Sequence, residues 1–226
     1  MPKSRTVPAL YDYMDSMSDT RHLVPSSAQL RRRKLGRVLQ KLSAQIARID
    51  ASEYEMAAYI QELELVSSQL EGHAKVDSTQ LFERLYCGTA SSDDLLLDAD
   101  SGCLIGSASP VGFPMELGVK GEKIVGSATI PIAFQGPPLR VHGGIIAAVF
   151  DILLSRTQLL SNFLGFTADL RISYQGAVPL DTCLSLEASV ISVDDRKLVN
   201  TGTISVDGKV CATADGLWIK PKSGLA

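Results

Sequence analysis

Apolar and polar positions along this chain follow three regimes. Between Leu35 and Leu70 the apolar residues recur at helical spacing. A first stripe runs through Leu35, Val38, Leu39, Leu42, Ile46 and Ile49, behind Ser26 and Ser27, which can cap a helix start. Asp50-Ala51-Ser52-Glu53 reads as a break and a fresh cap. A second stripe follows at Met56, Tyr59, Ile60, Leu63, Val66 and Leu70 and ends near Gly72. Two amphipathic helices with a short connection predict an antiparallel hairpin over 26–72, each helix covering the other's stripe.

From Phe113 the spacing is that of strands. Phe113 to Val119 and Lys123 to Ile132 flank a Lys120-Gly121-Glu122 turn, and Gly136-Pro137-Pro138 ends the pair. A helix then opens at Gly143-Gly144 and runs to about Leu160, apolar on every side as a buried helix is. Four more strands follow, over 167–175, 182–193, 197–206 and 209–219. The second alternates Leu184, Leu186 and Ala188 with Ser185, Glu187 and Ser189, and the last two flank the hairpin dipeptide Asp207-Gly208. The order strand, strand, long apolar helix, four strands predicts an α+β domain over 113–220, a mostly antiparallel sheet wrapped around one helix. The third regime has neither period. Residues 1–25 read as a flexible tail and 73–112 as an irregular connection, with turns at 90–94 and 98–102 and Leu95-Leu96-Leu97 as a short strand or a plug of core.

Composition narrows the function classes. The chain has 226 residues, a net charge of −3 and a pI near 5.6, which supplies no general attraction to nucleic acid or anionic membrane. The basic run Arg31-Arg32-Arg33-Lys34 therefore reads as a solvated helix end or a rim that attracts an anionic ligand. No uninterrupted apolar run reaches membrane-span length, and the first residues lack a signal-peptide core. Four scattered cysteines without a Cys-x-x-Cys fit a reduced, cytoplasmic setting. Three dispersed histidines give no zinc spacing, so no metal is expected.

Asp151 is the chemical anomaly. It lies two turns into the apolar helix between Phe150 and Ile152, where an ionised carboxylate needs a partner or a cleft. Ala147 and Ala148, one turn earlier, leave space beside it. The Gly143-Gly144 start offers unsatisfied N–H groups and the positive end of the helix dipole. Asp151 could instead cap a neighbouring loop, with the glycines only permitting close packing.

His142-Gly143-Gly144, the acid eight residues after Gly143, the Thr167-Ala168-Asp169-Leu170 strand and the Val178-Pro179-Leu180 turn together resemble the hotdog-fold acyl-CoA thioesterases, in the phenylacetyl-CoA and 4-hydroxybenzoyl-CoA branch. The resemblance covers about half of the chain, from Phe113 to Lys220. It implies a hydrolase acting on an acyl-CoA, in lipid metabolism or a related route, as a homodimer or larger homo-oligomer. It implies no cofactor, coenzyme A being part of the substrate. Carried over, Asp151 is the nucleophile or general base, the Gly143 N–H polarises the thioester carbonyl, His142 shapes that hole, and Thr167 assists the acid, usually from the partner subunit. Gly144, Arg140, Arg171 and Ser173 complete the expected substrate contacts, and Lys220 is a further candidate for the coenzyme A phosphates. By simple alternation, Thr167 shares a strand face with Asp169 and Arg171, opposite Ala168, Leu170 and Ile172. Where many relatives carry Asn or Gln ahead of the His, this chain has Gly136, with Gln135 adjacent.

Two other readings stay open. A hotdog protein can bind acyl-CoA, or act as a scaffold, without turnover. A dehydratase on the same fold needs a catalytic His paired with the acid, whereas His142 stands at the helix mouth. No Gly-x-Ser-x-Gly elbow is present for a serine hydrolase.

Overall fold

The computed structural model describes residues 24–73, 80–81, 84, 91, 97, 100, 102, 104, 106, 108–163 and 165–220. The expected tail, apart from its last two residues, and most of the 73–112 connection lie outside these. The helices are α1 (Ser27–Ile46), α2 (Glu53–Glu71) and α3 (Gly143–Ser155), the last continued by a 3₁₀ turn, Arg156–Ser161. The strands are β1 (Met115–Lys120), β2 (Lys123–Thr129), β3 (Phe166–Tyr174), β4 (Cys183–Val193), β5 (Lys197–Val206) and β6 (Lys209–Ile219).

All strand pairs are antiparallel, in the order β1-β2-β4-β5-β6-β3. Asp207 and Gly208 both adopt positive φ (49° and 77°), as the tight β5–β6 turn requires. The inward residues of β4, β5 and β6 close over α3, which buries Ile146, Val149, Phe150, Leu153 and Leu154 against Leu184, Leu198, Ile204 and Trp218. This is a hotdog fold. Gly143–Ser161 is long and apolar enough to cross a membrane by length and composition, which the uninterrupted-run count missed because Asp151 interrupts it. Here its buried side chains are covered by the sheet instead.

The helix was expected to continue regularly to Leu160. It tightens after Ser155 because hydroxyls take over its last carbonyls: Ser155 Oγ donates to Ile152 O and Thr157 Oγ1 to Leu154 O, each at 2.8 Å. Asn200 Nδ2, fully buried on β5, donates to Leu154 O at 2.8 Å and to Thr157 Oγ1 at 2.7 Å. That amide fastens the C-terminal end of α3 to the sheet.

The two N-terminal helices form as expected, each on a complete capping box, Ser26 with Gln29 and Ser52 with Glu55. They do not cover each other's stripes. α1 sits on the body through its polar side: Arg33 forms an ion pair with buried Asp100, Gln40 Nε2 donates to Ser109 O, and Gly36 lies against Ala108. A Cβ at Gly36 would stand 2.5 Å from the Ala108 carbonyl oxygen, so only glycine permits this approach. α2 buries no residue at all.

Candidate functional site

The site is built at the mouth of α3. The incoming loop is pinned on both sides, with Val141 N–H donating to Val178 O and His142 N–H to Phe134 O, both at 2.9 Å. Gly136 passes so close beneath that a Cβ there would lie 2.8 Å from His142 Cα. Glycine at the position where relatives carry Asn or Gln thus serves packing. Gln135, next to it, is occupied as well: its Oε1 accepts from Leu139 N–H at 3.0 Å, holding Leu139 at φ 62°.

A helix start leaves four N–H groups without helical partners. His142 is the N-cap; its own N–H goes to Phe134 O, and it satisfies two of the remaining three. Its Nδ1 accepts from Gly144 N–H at 3.0 Å, and its carbonyl accepts from Ile145 at 2.9 Å and Ile146 at 3.2 Å. The fourth, Gly143 N–H, has no acceptor among the described residues. The donor left over is therefore the one assigned from the resemblance. Gly144 is not available as a second donor, which corrects its expected place as a substrate contact through its N–H. An accepting Nδ1 also fixes the His142 proton on Nε2. Tyr174, which the sequence reading did not single out, donates its hydroxyl to Gly143 O at 2.9 Å and lays its ring beside that glycine.

Asp151 lies eight residues further on, half-buried. Its Oδ1 accepts from Thr167 Oγ1 at 2.8 Å within one protomer. Simple alternation had set Thr167 apart from Leu170 and Ile172. A β-bulge corrects this: Thr167 pairs with Trp218 and Asp169 with Leu217, leaving Ala168 as the extra residue. Parity reverses there, and Thr167, Leu170, Ile172 and Tyr174 all face α3. Paired residues of adjacent strands share a face, and the partners of these four, Trp218, Gly216, Ala214 and Ala212, are all buried.

Arg171 and Ser173 lie on the outer face, opposite Leu170 and Ile172, exposed and pointing away from Asp151. As contacts to a substrate lying on this protomer's Asp151 they are withdrawn. Arg140 is exposed in the loop ahead of the helix mouth, where its backbone bridges to Pro179. Lys220 Nζ stacks 4.8 Å over the Phe163 ring. No cluster of three or more potential metal ligands occurs among the described residues.

Chemically, α3 carries a carboxylate steadied by a hydroxyl and, about 12 Å up its axis, a single free N–H at the positive dipole end. A carboxylate so held suits base-assisted or nucleophilic attack on a carbonyl, and an N–H so placed suits holding a carbonyl oxygen.

Comparison with known proteins bears on this geometry. No protein-family model matches the chain. It is 36% identical over 88 residues to mouse acyl-coenzyme A thioesterase THEM4, which is 38% of each chain. It is 33% identical over 64 residues to human acyl-coenzyme A thioesterase THEM5, covering 28% of this chain and 26% of that one. These matches span well under half the length of either relative. A crystal structure of a thioesterase superfamily protein superposes with a TM-score of 0.68 at 25% identity, covering 83% of this chain and 94% of the other.

Proposed function

We infer that this chain, a member of the hotdog thioesterase superfamily, hydrolyses acyl-coenzyme A thioesters to the free acid and coenzyme A. The observation that carries the reading is that one helix supplies both a Thr167-held carboxylate, Asp151, and an N–H without an acceptor among the described residues, that of Gly143. In the reaction, Asp151 takes a proton from water as the water oxygen bonds to the thioester carbon. The carbonyl oxygen gains the negative charge and is stabilised by Gly143 N–H, a donor type that contributes about 3 kcal/mol. The C–S bond then breaks, and the proton passes to the departing thiolate. Direct attack by the carboxylate, through an anhydride that water later opens, uses the same residues. Coenzyme A enters as part of the substrate, and the scheme needs no cofactor. Thr167 and Tyr174 act as positioning residues, the first on the carboxylate and the second on the glycine peptide.

The spacing along α3 supports a homodimer. A donor hydrogen bond, a C=O bond and an attack distance together span about 7 Å, short of the roughly 12 Å between the two positions. Pairing of β3 with its equivalent across a two-fold axis would bring one protomer's Gly143 towards the other's Asp151. β3 is an edge of the sheet, with Phe166 and Tyr174 exposed along it.

Asp151→Asn tests the reading. The amide keeps the shape and can still accept from Thr167, so the melting temperature should hold while thiol release from acyl-CoA falls by about 10²-fold or more. A folded Asn variant with near wild-type turnover would remove Asp151 from the chemistry. If the unaltered chain binds acyl-CoAs yet releases no thiol across a panel from acetyl to long-chain and aryl, the binding-protein reading takes its place.

A further inference from the structure

The apolar side chains of α1 and α2 are left uncovered. Because α1 docks through Arg33, Gly36 and Gln40, its stripe of Leu35, Val38, Leu39, Leu42, Ile46 and Ile49 turns outward; four of these six are exposed, and Leu39 and Leu42 are half-buried. On α2, Met56, Tyr59, Ile60, Leu63, Val66 and Leu70 are all exposed. The helices converge only near their connection, around an open groove of about 620 Å³ lined by Leu42, Ile46, Ile49, Met56, Tyr59 and Ile60 among others. Large apolar side chains exposed in two continuous helical stripes go beyond the scattered exposure of a monomer surface. A 19-residue helix that buries nothing is marginal by itself in water.

Charge says what covers these stripes. α1 carries Arg31, Arg32, Arg33, Lys34, Arg37 and Lys41 and no acid, whereas α2 carries Glu53, Glu55, Glu62, Glu64 and Glu71 and no base. At 100° per residue, Lys34 and Lys41 border one side of the α1 stripe and Arg32 the other. Glu55 and Glu62 border one side of the α2 stripe, and Glu53, Glu64 and Glu71 the other. An apolar seam with charged borders is the layout of a helix pair whose edge charges choose the partner. Like helices repel, and unlike helices match. A helix bordered only by glutamates is also repelled by an anionic lipid surface.

We propose that α1 and α2 form a docking surface for a second copy of this chain, α1 of each copy packing along α2 of the other. The two-fold arrangement satisfies both stripes and both sets of charges at once. It does not depend on the catalytic reading, and it adds a contact separate from the β3 edge.

Reciprocal charge reversal tests it on the full chain. One variant carries Arg32→Glu with Lys41→Glu, one on each border of the α1 stripe, and the other Glu62→Lys with Glu64→Lys, one on each border of the α2 stripe. Sedimentation equilibrium should show each variant alone losing one association step of the wild type, weakened by about tenfold or more. Mixing the two should restore it, because both cross-chain helix pairs are then of opposite charge. A single chain carrying all four changes should also associate, which shows that the helices tolerate the substitutions. The proposal fails if the wild-type chain lacks such a step or if either variant associates like wild type. It fails too if mixing does not restore association, the result expected when α1 and α2 close on each other within one chain or on a different protein.

Discussion

Gly143→Ala separates what the fold requires of this position from what the chemistry requires. The added Cβ would meet Tyr174 Oη at 3.5 Å and the nearby ring atoms at 3.7 and 3.8 Å, ordinary contacts that need no movement. Gly143 is not among the residues with positive φ, so alanine adopts its backbone without strain. Removing glycine at such a site stabilises by about 0.4–1 kcal/mol, chiefly by restricting the unfolded chain. For a chain of this size that is a rise of about 1–4 °C in melting temperature. Activity should move the opposite way. The methyl stands beside the one free N–H of the helix mouth and displaces the carbonyl oxygen that would approach it; a misplacement of about 1 Å costs on the order of 10²-fold in rate. Thermal melts and thiol release on the same preparation read both effects. Gly144→Ala is the contrast, since its Cβ would lie 3.2 Å from His142 Nδ1 and press on the cap. That variant should lose stability. If Gly143→Ala is as active as the unaltered chain, its N–H does not hold the oxyanion and the proposed site is wrong.

Three further outcomes follow from the geometry. Thr167→Val removes the hydroxyl that Asp151 accepts from at an exposed position, so stability should change by less than about 1 kcal/mol while kcat falls about tenfold, read by steady-state hydrolysis. Asn200→Ala takes the buried donor from Thr157 Oγ1 and one of the donors from Leu154 O, and should cost about 1–3 kcal/mol in a denaturant melt. Asp194 accepts from the backbone N–H groups of Arg196 and Lys197, which hold its carboxyl below the ordinary value. A depressed folded value means the turn is at full strength above the usual carboxylate range and weakens as pH falls through the depressed one. The protection of those two amides relative to their intrinsic exchange rates should therefore fall in acid, and Asp194→Asn should remove that dependence.

Much of this was legible in the residues. The alternation of Leu184, Leu186 and Ala188 and the Asp207-Gly208 pair are local signals with one physical reading, and they place β4, β5 and β6. Asp151 stood out because a carboxylate among Phe150, Ile152 and Leu153 requires an explanation. What sequence spacing lacks is the identity of the covering surface. The α1 stripe is real, but periodicity cannot show that Gly36 and Arg33, on the polar side, hold the helix to the body. Parity failed at β3 for a related reason, since alternation counts residues and assumes that each one pairs. Tyr174 was hidden differently: on the face of Leu170 and Ile172 it reads as core, and only the fold brings its hydroxyl to Gly143.

Ala168 lends no functional group to the site, yet the Thr167–Asp151 contact depends on its standing outside the pairing. A substitution there changes a side chain on an exposed bulge. Were Ala168 drawn into regular pairing instead, Thr167 would slide from Trp218 to Ile219 and turn outward, parting the hydroxyl from the carboxylate while leaving both residues in the chain. The vulnerable quantity at this edge is register: an ironed-out bulge would keep all the chemistry and present the hydroxyl to the wrong side.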